Sequence, residues 1–245
     1  MARWRFVFPF VLFFDRIFLS REHLLKEGAK DLMERQPNIR DTVYKSILDS
    51  IVSLEFQPGD ILNEKALVEK YHCSKSPVRE ALLTLCTEGV LRSIPRYGYE
   101  IVRLTRDDIY EMIQFRYLLE SGMLQISYQS LQPGQLARLE QINRQCQDCS
   151  ADVWEHWRYN TDFHLTLIGF CGNCYVRDAL SRCMDRLRRA YAQCYWNKWD
   201  NTIPPMDTRN HRLILDALAQ RDLQALLRAL ADDLNDFGSL GIELL

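Results

Sequence analysis

The spacing of apolar residues predicts that this chain is mainly helical. From residue 39 to residue 55, apolar side chains recur every three or four positions, the period of one helix face: Ile39, Val43, Ile47, Ile51 and Leu54. A turn at 57–60 follows, and then a short helix from Asn63, a good N-cap, to Tyr71. Ser74 is expected to cap a third helix that ends near Gly89.

After Gly89 the period changes. Residues 90–94 and 99–102 have the composition and alternation of two strands, and a turn at 95–98 joins them. Three helices followed by a hairpin wing is the plan of a winged helix-turn-helix, in which the third helix enters the major groove of DNA. We therefore expect a DNA-binding domain at residues 37–104.

Beyond Leu104 the helical period continues to the end of the chain. Thr105 is expected to cap a helix that reaches about Gln129. Five more helices are expected near residues 133–149, 152–169, 174–197, 207–219 and 222–237. Six antiparallel helices would form a bundle over residues 105–240, and bundle interiors commonly hold ligands or metal ions.

Residues 1–36 form an N-terminal extension of a different kind. An apolar run from Phe6 to Phe14 imitates a secretion signal, but Asp15 interrupts it and no small-residue cleavage site follows. The run is also far shorter than the about 20 residues that a membrane span needs. We expect a flexible or partner-packing tail, or a start codon assigned too early, with Met33 as the natural start. Eight cysteines without a removable signal favour a reducing, cytoplasmic location and no membrane.

The net charge of −2 gives the chain no overall attraction for nucleic acid, so DNA binding must rest on a local patch. Such a patch lies at the exposed start of the third helix, where hydroxyls and backbone N–H groups bind phosphate well. Lys75 and Arg79 are long enough to reach guanine or the backbone. Lys65 on the second helix and Arg96 on the wing extend the same face.

In this region the chain resembles the GntR family of bacterial transcription regulators. Residues 58–64, PGDILNE, are similar to the family's PG-x-x-L-x-E turn, and residues 74–82, SKSPVREAL, to its SRTPVREAL run. The EGV at 88–90 and the PRYGY at 95–99 match its EGL and wing. The resemblance implies a homodimer that reads a palindromic operator, with contacts at Lys65, Ser74, Lys75, Ser76, Arg79, Arg96 and Gly98. We expect a repressor.

Four polar residues of the helical half could converge. Asn160 and His164 lie four positions apart and so share one helix face. His211 and Asp233 lie at similar heights on the last two helices, which a tight turn joins. Two imidazoles, a carboxylate and an amide oxygen suit a divalent metal ion. Histidines that only pack and form hydrogen bonds in the core are the alternative.

Residues 105–240 also resemble the FCD ligand-binding domain in its six-helix, VanR-like form. The similar segments are DI at 108–109, RYLLE at 116–120, NTDFH at 160–164, GN at 172–173 and NHRLILDAL at 210–218. The resemblance implies an ion of zinc or nickel type that helps to bind a carboxylate effector, an organic or sugar acid. The chain departs from the family pattern, since Asn160 stands where an Asp is usual and Asp233 where a His is usual. We assign effector contacts to Arg116 and Asn173.

The sequence also bears on a zinc site and on an enzymatic function. Cys146, Cys149, Cys171 and Cys174 form a CxxC…CxxC pattern, but an unbroken helix between the pairs would hold them about 25 Å apart, too far for one zinc ion. A metal-dependent enzyme in the helical half is the alternative function. The sequence offers no catalytic triad, phosphate loop or paired carboxylates for it. We therefore expect a regulator and no enzyme.

Overall fold

The structure, a computed structural model, describes residues 38–149, 153–195 and 206–236. The predicted N-terminal extension, residues 1–36, lies outside these ranges. The first unit contains three helices and a small sheet, as predicted: α1 (Ile39–Val52), β1 (Ile61–Leu62), α2 (Glu64–Tyr71), α3 (Lys75–Thr87), β2 (Leu91–Ile94) and β3 (Gly98–Ile101). Its core packs the inner faces of the three helices against the sheet, with Ile47, Leu82 and Leu85 fully buried.

The sheet has one strand more than the predicted wing. Its order is β1-β3-β2 with antiparallel pairing, so the chain before α2 pairs with the second wing strand. Gly98 makes this pairing possible. Its φ is +136°, and a Cβ there would lie 2.5 Å from the carbonyl oxygen of Leu62. With two residues, β1 is too short to show an alternating pattern in the sequence.

Helix ends differ from the predictions by a few residues, for local reasons. We expected α1 to continue to Glu55, but it ends at Val52, because Leu54 adopts a left-handed φ of 60°. Asn63 caps α2 as predicted, since its side chain accepts a hydrogen bond from the Lys65 N–H. Ser74 occupies the N-cap position of α3 as predicted, although its side chain makes no capping hydrogen bond.

The second unit is the predicted bundle of six helices: α4 (Arg106–Ser127), α5 (Pro133–Asp148), α6 (Val153–Phe170), α7 (Cys174–Tyr195), α8 (Met206–Gln220) and α9 (Leu223–Asp236). A reciprocal capping box of Thr105 and Asp108 starts α4, and Pro133 takes the first turn of α5, where its missing N–H does no harm. The buried apolar faces of all six helices form one core. Among the described residues we find no helix long and apolar enough to cross a membrane.

Helix α7 joins the two units. Gln193 accepts a hydrogen bond from the Leu104 N–H at 2.7 Å and donates one to the Val102 carbonyl at 3.1 Å, so its amide grips the connecting segment from both sides. Leu104 packs into the core of the helical unit. Helix α7 also contacts α1 directly. The connection between the units is therefore held at a defined place on a helix of the second unit.

Candidate functional site

The predicted DNA-reading residues lie on one face of the first unit. Ser74, Lys75, Ser76 and Arg79 are all exposed at the start of α3, while Val78, Leu82 and Leu85 turn into the core. Lys65, Lys75, Arg96 and Gly98 line the same groove, of about 600 Å³, between α2, α3 and the wing. The first turn of α3 carries no acidic residue of its own, which favours an anion at its backbone N–H groups.

Glu64 holds two of the four long basic side chains of this face, a role that the sequence did not predict. Its carboxylate lies 3.5 Å from the Lys75 ammonium and 4.0 Å from the Arg79 guanidinium. The Tyr99 hydroxyl donates to the same carboxylate at 3.1 Å. Exposed ion pairs contribute little stability, but this one draws both basic side chains toward the second helix and the wing.

Two of the predicted contacts also have structural tasks. The Ser76 hydroxyl donates to Glu80 at 2.9 Å, one turn further along α3. Gly98 is required where β3 approaches β1, as its backbone geometry shows. Arg96 sits at the tip of the wing with a left-handed φ of 71° and an exposed side chain. The turn at the tip of the wing places Arg96 beside the groove.

A second constellation is buried among the helices of the bundle. It comprises Arg116 and Glu120 on α4, Asn160 and His164 on α6, His211 on α8 and Asp233 on α9, each no more than 6% exposed. The four residues predicted to converge do so. His164 Nε2 lies 2.9 Å from one oxygen of Asp233, and His211 Nε2 lies 3.6 Å from the other. Asn160 Nδ2 and His211 Nε2 are 3.4 Å apart.

Glu120 completes the constellation and was not among the predicted site residues. Its carboxylate accepts from Arg116 Nε at 3.0 Å and from His164 Nδ1 at 2.6 Å. His164 is therefore held between two carboxylates, Glu120 and Asp233. The sequence did carry a signal, because Arg116 and Glu120 continue the inward-facing series that begins with Ile109 and Ile113. A charged pair at core positions of a helix marks a site.

The electrostatics of the constellation favour its charged forms. Burial alone would lower the pKa of His164, but the negative charges of Glu120 and Asp233 outweigh it and raise that pKa to about 9. Burial would likewise raise the pKa of Glu120, but the positive charges of His164 and Arg116 lower it to about 2. Opposite charges thus compensate one another inside the bundle, which makes the ionised groups tolerable there.

His164, His211 and Asp233 fit a divalent cation. They offer ligand atoms that all lie within 4.8 Å of one another, slightly wider than the about 4 Å that two opposed bonds of about 2 Å span. His164 Nε2 and Asp233 Oδ1 are buried without a hydrogen-bond partner among the described residues. Glu120 accepts from the far ring nitrogen of His164, as a carboxylate commonly does for a metal-binding histidine, and so fixes the orientation of the ring. The amide of Asn160 would be a fourth, neutral donor.

The two residues assigned to the effector lie in different places. Arg116 belongs to the buried constellation, and its Nη2 is buried without a hydrogen-bond partner in the part of the chain that the structure describes. Asn173 is exposed just before α7, where its side-chain oxygen accepts from the Val176 N–H at 3.2 Å. The structure therefore does not bring Asn173 to the buried constellation, because that side chain caps a helix.

Family comparisons agree with this division of the chain. The model described as "Bacterial regulatory proteins, gntR family" matches residues 39–101, and the model described as "FCD domain" matches residues 111–236. The chain belongs to the GntR family of transcription regulators with an FCD domain. It is a DNA-binding regulator and no enzyme, so the alternative of a metal-dependent enzyme was wrong.

Curated relatives of this GntR regulator carry matching names. It is 25% identical over 204 residues to the HTH-type transcriptional repressor RspR of Escherichia coli (strain K12), which covers 81% of this chain and 86% of RspR. It is 27% identical over 172 residues to the Nta operon transcriptional regulator of Aminobacter aminovorans, covering 69% and 79%. Among solved structures, E. coli McbR/YncC has the same fold, with a TM-score of 0.69, 20% identity and coverage of 84% and 97%.

Proposed function

We propose that this GntR regulator is a repressor whose operator binding is controlled by a small carboxylate bound inside the FCD domain. The observation that carries the proposal is the convergence of buried polar groups from four helices on one place, with a guanidinium nitrogen of Arg116 left without a partner among the described residues. A buried donor of that kind favours an anionic ligand, because charge-assisted hydrogen bonds to carboxylates are strong. The name of RspR, a repressor, supports the direction of regulation.

His164, His211 and Asp233 would hold a divalent cation of zinc or nickel type in this site, with Asn160 as a weak fourth ligand. Such an ion supplies positive charge to which a carboxylate oxygen binds. To ligate through Nε2, His164 must give up the proton there, while Glu120 keeps the proton on Nδ1 and fixes the ring. Phe163 stacks on His211 with ring centroids 4.0 Å apart and so fixes the second imidazole.

Helix α7 would carry the signal to the DNA-binding domain. It packs on α4 and α6, which bear most of the buried constellation. Its Cys183 lies close enough to Arg116 and Glu120 for their charges to act on its thiol. Three turns further along, Gln193 grips the connecting segment. A ligand that shifts α4 or α6 therefore acts on the helix that positions the winged domain.

The decisive test of DNA reading uses Arg79. A pool of DNA fragments selected from random sequence by the full chain gives a specific site, and affinity is then measured by fluorescence anisotropy at fixed salt. Arg79→Ala should weaken specific binding by about 1–3 kcal/mol, or roughly 5- to 150-fold. Lys70→Ala is the control. Lys70 lies near the C-terminal end of α2, away from Lys65, and is paired there with Glu55. Unchanged affinity of Arg79→Ala would remove α3 as the reading helix.

The effector site is tested separately, through metal content and ligand response. Protein incubated with Zn²⁺ or Ni²⁺ and then desalted should retain about one ion per chain, as expected for a site with this number of protein ligands. The His164→Ala and His211→Ala variants should retain much less, while Asn173→Ala should match the unchanged chain. Equal metal content in all four proteins would refute the metal site. Arg116→Met should abolish any release of the operator by carboxylates without altering DNA affinity in their absence.

A further inference from the structure

A second buried guanidinium lies outside the FCD site, at the junction of the two domains. Arg189 on α7 is 5% exposed, and among the described residues its only hydrogen bond is a long contact of 3.5 Å from Nη1 to the Gly89 carbonyl. Within the described ranges, no carboxylate lies inside the 4.0 Å ion-pair distance of its nitrogens. Burial lowers the pKa of Arg189, and the neighbouring positive charge of Arg186 lowers it further. A buried cation without a counter-ion is costly, so an anion at this place would be bound favourably.

Arg189 lines a cavity of about 500 Å³ between α1, the chain after α3, and α7. The wall from the DNA-binding domain contributes the apolar side chains of Leu48, Val52 and Val90 beside the charged Lys45, Asp49 and Glu88. The opposite wall is α7, where Arg182 and Arg188 flank Arg189. The size lies within the range of small-molecule pockets, which are mostly apolar with a few placed polar groups.

Three acidic residues also line the cavity, and they do not neutralise Arg189 directly. Glu88 accepts a hydrogen bond from the Tyr44 hydroxyl at 2.7 Å. Asp185 lies one turn before Arg189 on α7, and Asp49 lies on α1. Glu88 and Asp185 act on Arg189 only from beyond ion-pair distance. The cavity therefore has one deeply buried cation, and aliphatic side chains from the other domain line the same space.

We propose that this interdomain cavity binds a small amphipathic carboxylate, whose anionic group pairs with Arg189 and whose apolar body packs on Leu48, Val52 and Val90. The site is separate from the one in the FCD core and does not depend on it. Its ligand touches both domains at once. Binding therefore favours the arrangement of α1 and α7 seen here over others, and with it one orientation of the winged domain.

The test uses the full chain and four probes at equal ionic strength: octanoate, benzoate, acetate and inorganic phosphate. Calorimetric titration should give saturable binding of octanoate or benzoate at least tenfold tighter than that of acetate or phosphate. Arg189→Gln should weaken that binding at least tenfold. Arg212→Gln, which changes an exposed arginine already paired with Asp216 at 2.9 Å, should leave it unchanged.

A second variant guards against a folding effect of Arg189→Gln. Leu48→Trp fills the cavity from a half-buried position and keeps Arg189, so it should also abolish probe binding. The proposal fails if none of the four probes binds, or if binding survives both variants. It also fails if binding is lost in His211→Ala but kept in Arg189→Gln, because the probe would then occupy the FCD core. That last outcome would leave the FCD effector proposal standing.

Discussion

Polar residues at helix positions that face the core mark the functional sites of this protein. Arg116 and Glu120 interrupt the inward face of α4, and His164 and Asp233 do so on α6 and α9. Each costs stability unless a partner from another helix compensates it. The compensation here links α4, α6 and α9 through a series of hydrogen bonds and ion pairs. A ligand that binds among these polar residues must rearrange contacts on several helices at once.

Gly98 is the residue where backbone geometry most restricts the sequence of the wing. Because its φ is positive and a Cβ would collide with the Leu62 carbonyl, Gly98→Ala should destabilise the chain by about 2 kcal/mol or more. The matched control is Gly134→Ala at the start of α5, where a Cβ meets nothing within 4 Å. That change should be neutral or stabilising by up to about 1 kcal/mol. Urea denaturation of the three proteins measures both effects, and equal stability of Gly98→Ala would contradict the β1–β3 pairing.

Helix α7 serves several purposes along its length. Cys183 faces the FCD core, Arg189 faces the interdomain cavity, and Gln193 binds the connecting segment. These residues lie within three turns, so a displacement of this helix moves all of them together. The sequence predicted the helix itself from its period, but not these roles. These roles depend on which residues of neighbouring elements contact α7. Only the packing of the helices determines those contacts.

The environment of Cys183 on α7 gives a prediction for its chemistry. Burial raises the pKa of its thiol to about 11, so the thiol stays protonated and unreactive until the pH approaches that value. Iodoacetamide at pH 8 should therefore modify the exposed Cys174 rapidly and leave Cys183 unmodified in the folded chain. Because the folded pKa is raised, the stability that Cys183 contributes is present below its unfolded pKa and is lost as the pH rises through 11.

Peptide mapping by mass spectrometry, with and without denaturant, measures how much iodoacetamide modifies Cys174 and Cys183. Cys183 should become modified at pH 8 only when denaturant is present. The control is Cys183→Ser, in which the modification of Cys174 should be unaltered. Equal rates for Cys174 and Cys183 in the folded chain would show that this face of α7 is not packed against α4.

The sequence predicted the secondary-structure elements well and the contacts between distant residues less well. The helical period located all nine helices of the described ranges to within a few residues, and the unbroken α6 between the two CxxC pairs is confirmed. The end of α1 was missed because a left-handed residue, Leu54, is apolar and extends the pattern. Glu64, Glu120 and Arg189 were missed because their importance comes from partners far away in sequence. Periodicity carries no information about such pairs.

At the scale of the whole molecule, the two hydrophobic cores are separate, and the Gln193 amide binds the segment that connects their units. Two units with separate cores can change their relative arrangement at modest cost. A regulator needs this property, because its DNA-binding and ligand-binding domains must influence each other. Both proposed ligand sites border α7, the FCD core near Cys183 and the junction at Arg189.

An exposed apolar stripe on α4 is a candidate for the interface of the homodimer that the sequence predicts. Phe115, Leu118 and Ile126 are 42%, 70% and 81% exposed and follow one another at helical spacing. Gly122 lies between them, and a Cβ there would meet nothing within 4 Å. Large exposed apolar side chains in a row favour an interface, and a small residue among them lets a second helix approach closely. We propose this stripe as the dimer interface, because a palindromic operator requires two recognition helices.

Leu118→Glu and Ile126→Glu together should therefore convert the protein from a dimer to a monomer. Charge in an apolar interface is costly, since each carboxylate would lose its hydration without gaining a partner. Sedimentation velocity should show half the mass, and affinity for a palindromic operator should fall at least tenfold while affinity for a single half-site is unchanged. Leu213→Glu, which changes an exposed leucine on α8, controls for the added charge and should remain dimeric. A double variant that stays dimeric and binds the palindrome normally would place the interface elsewhere on the chain.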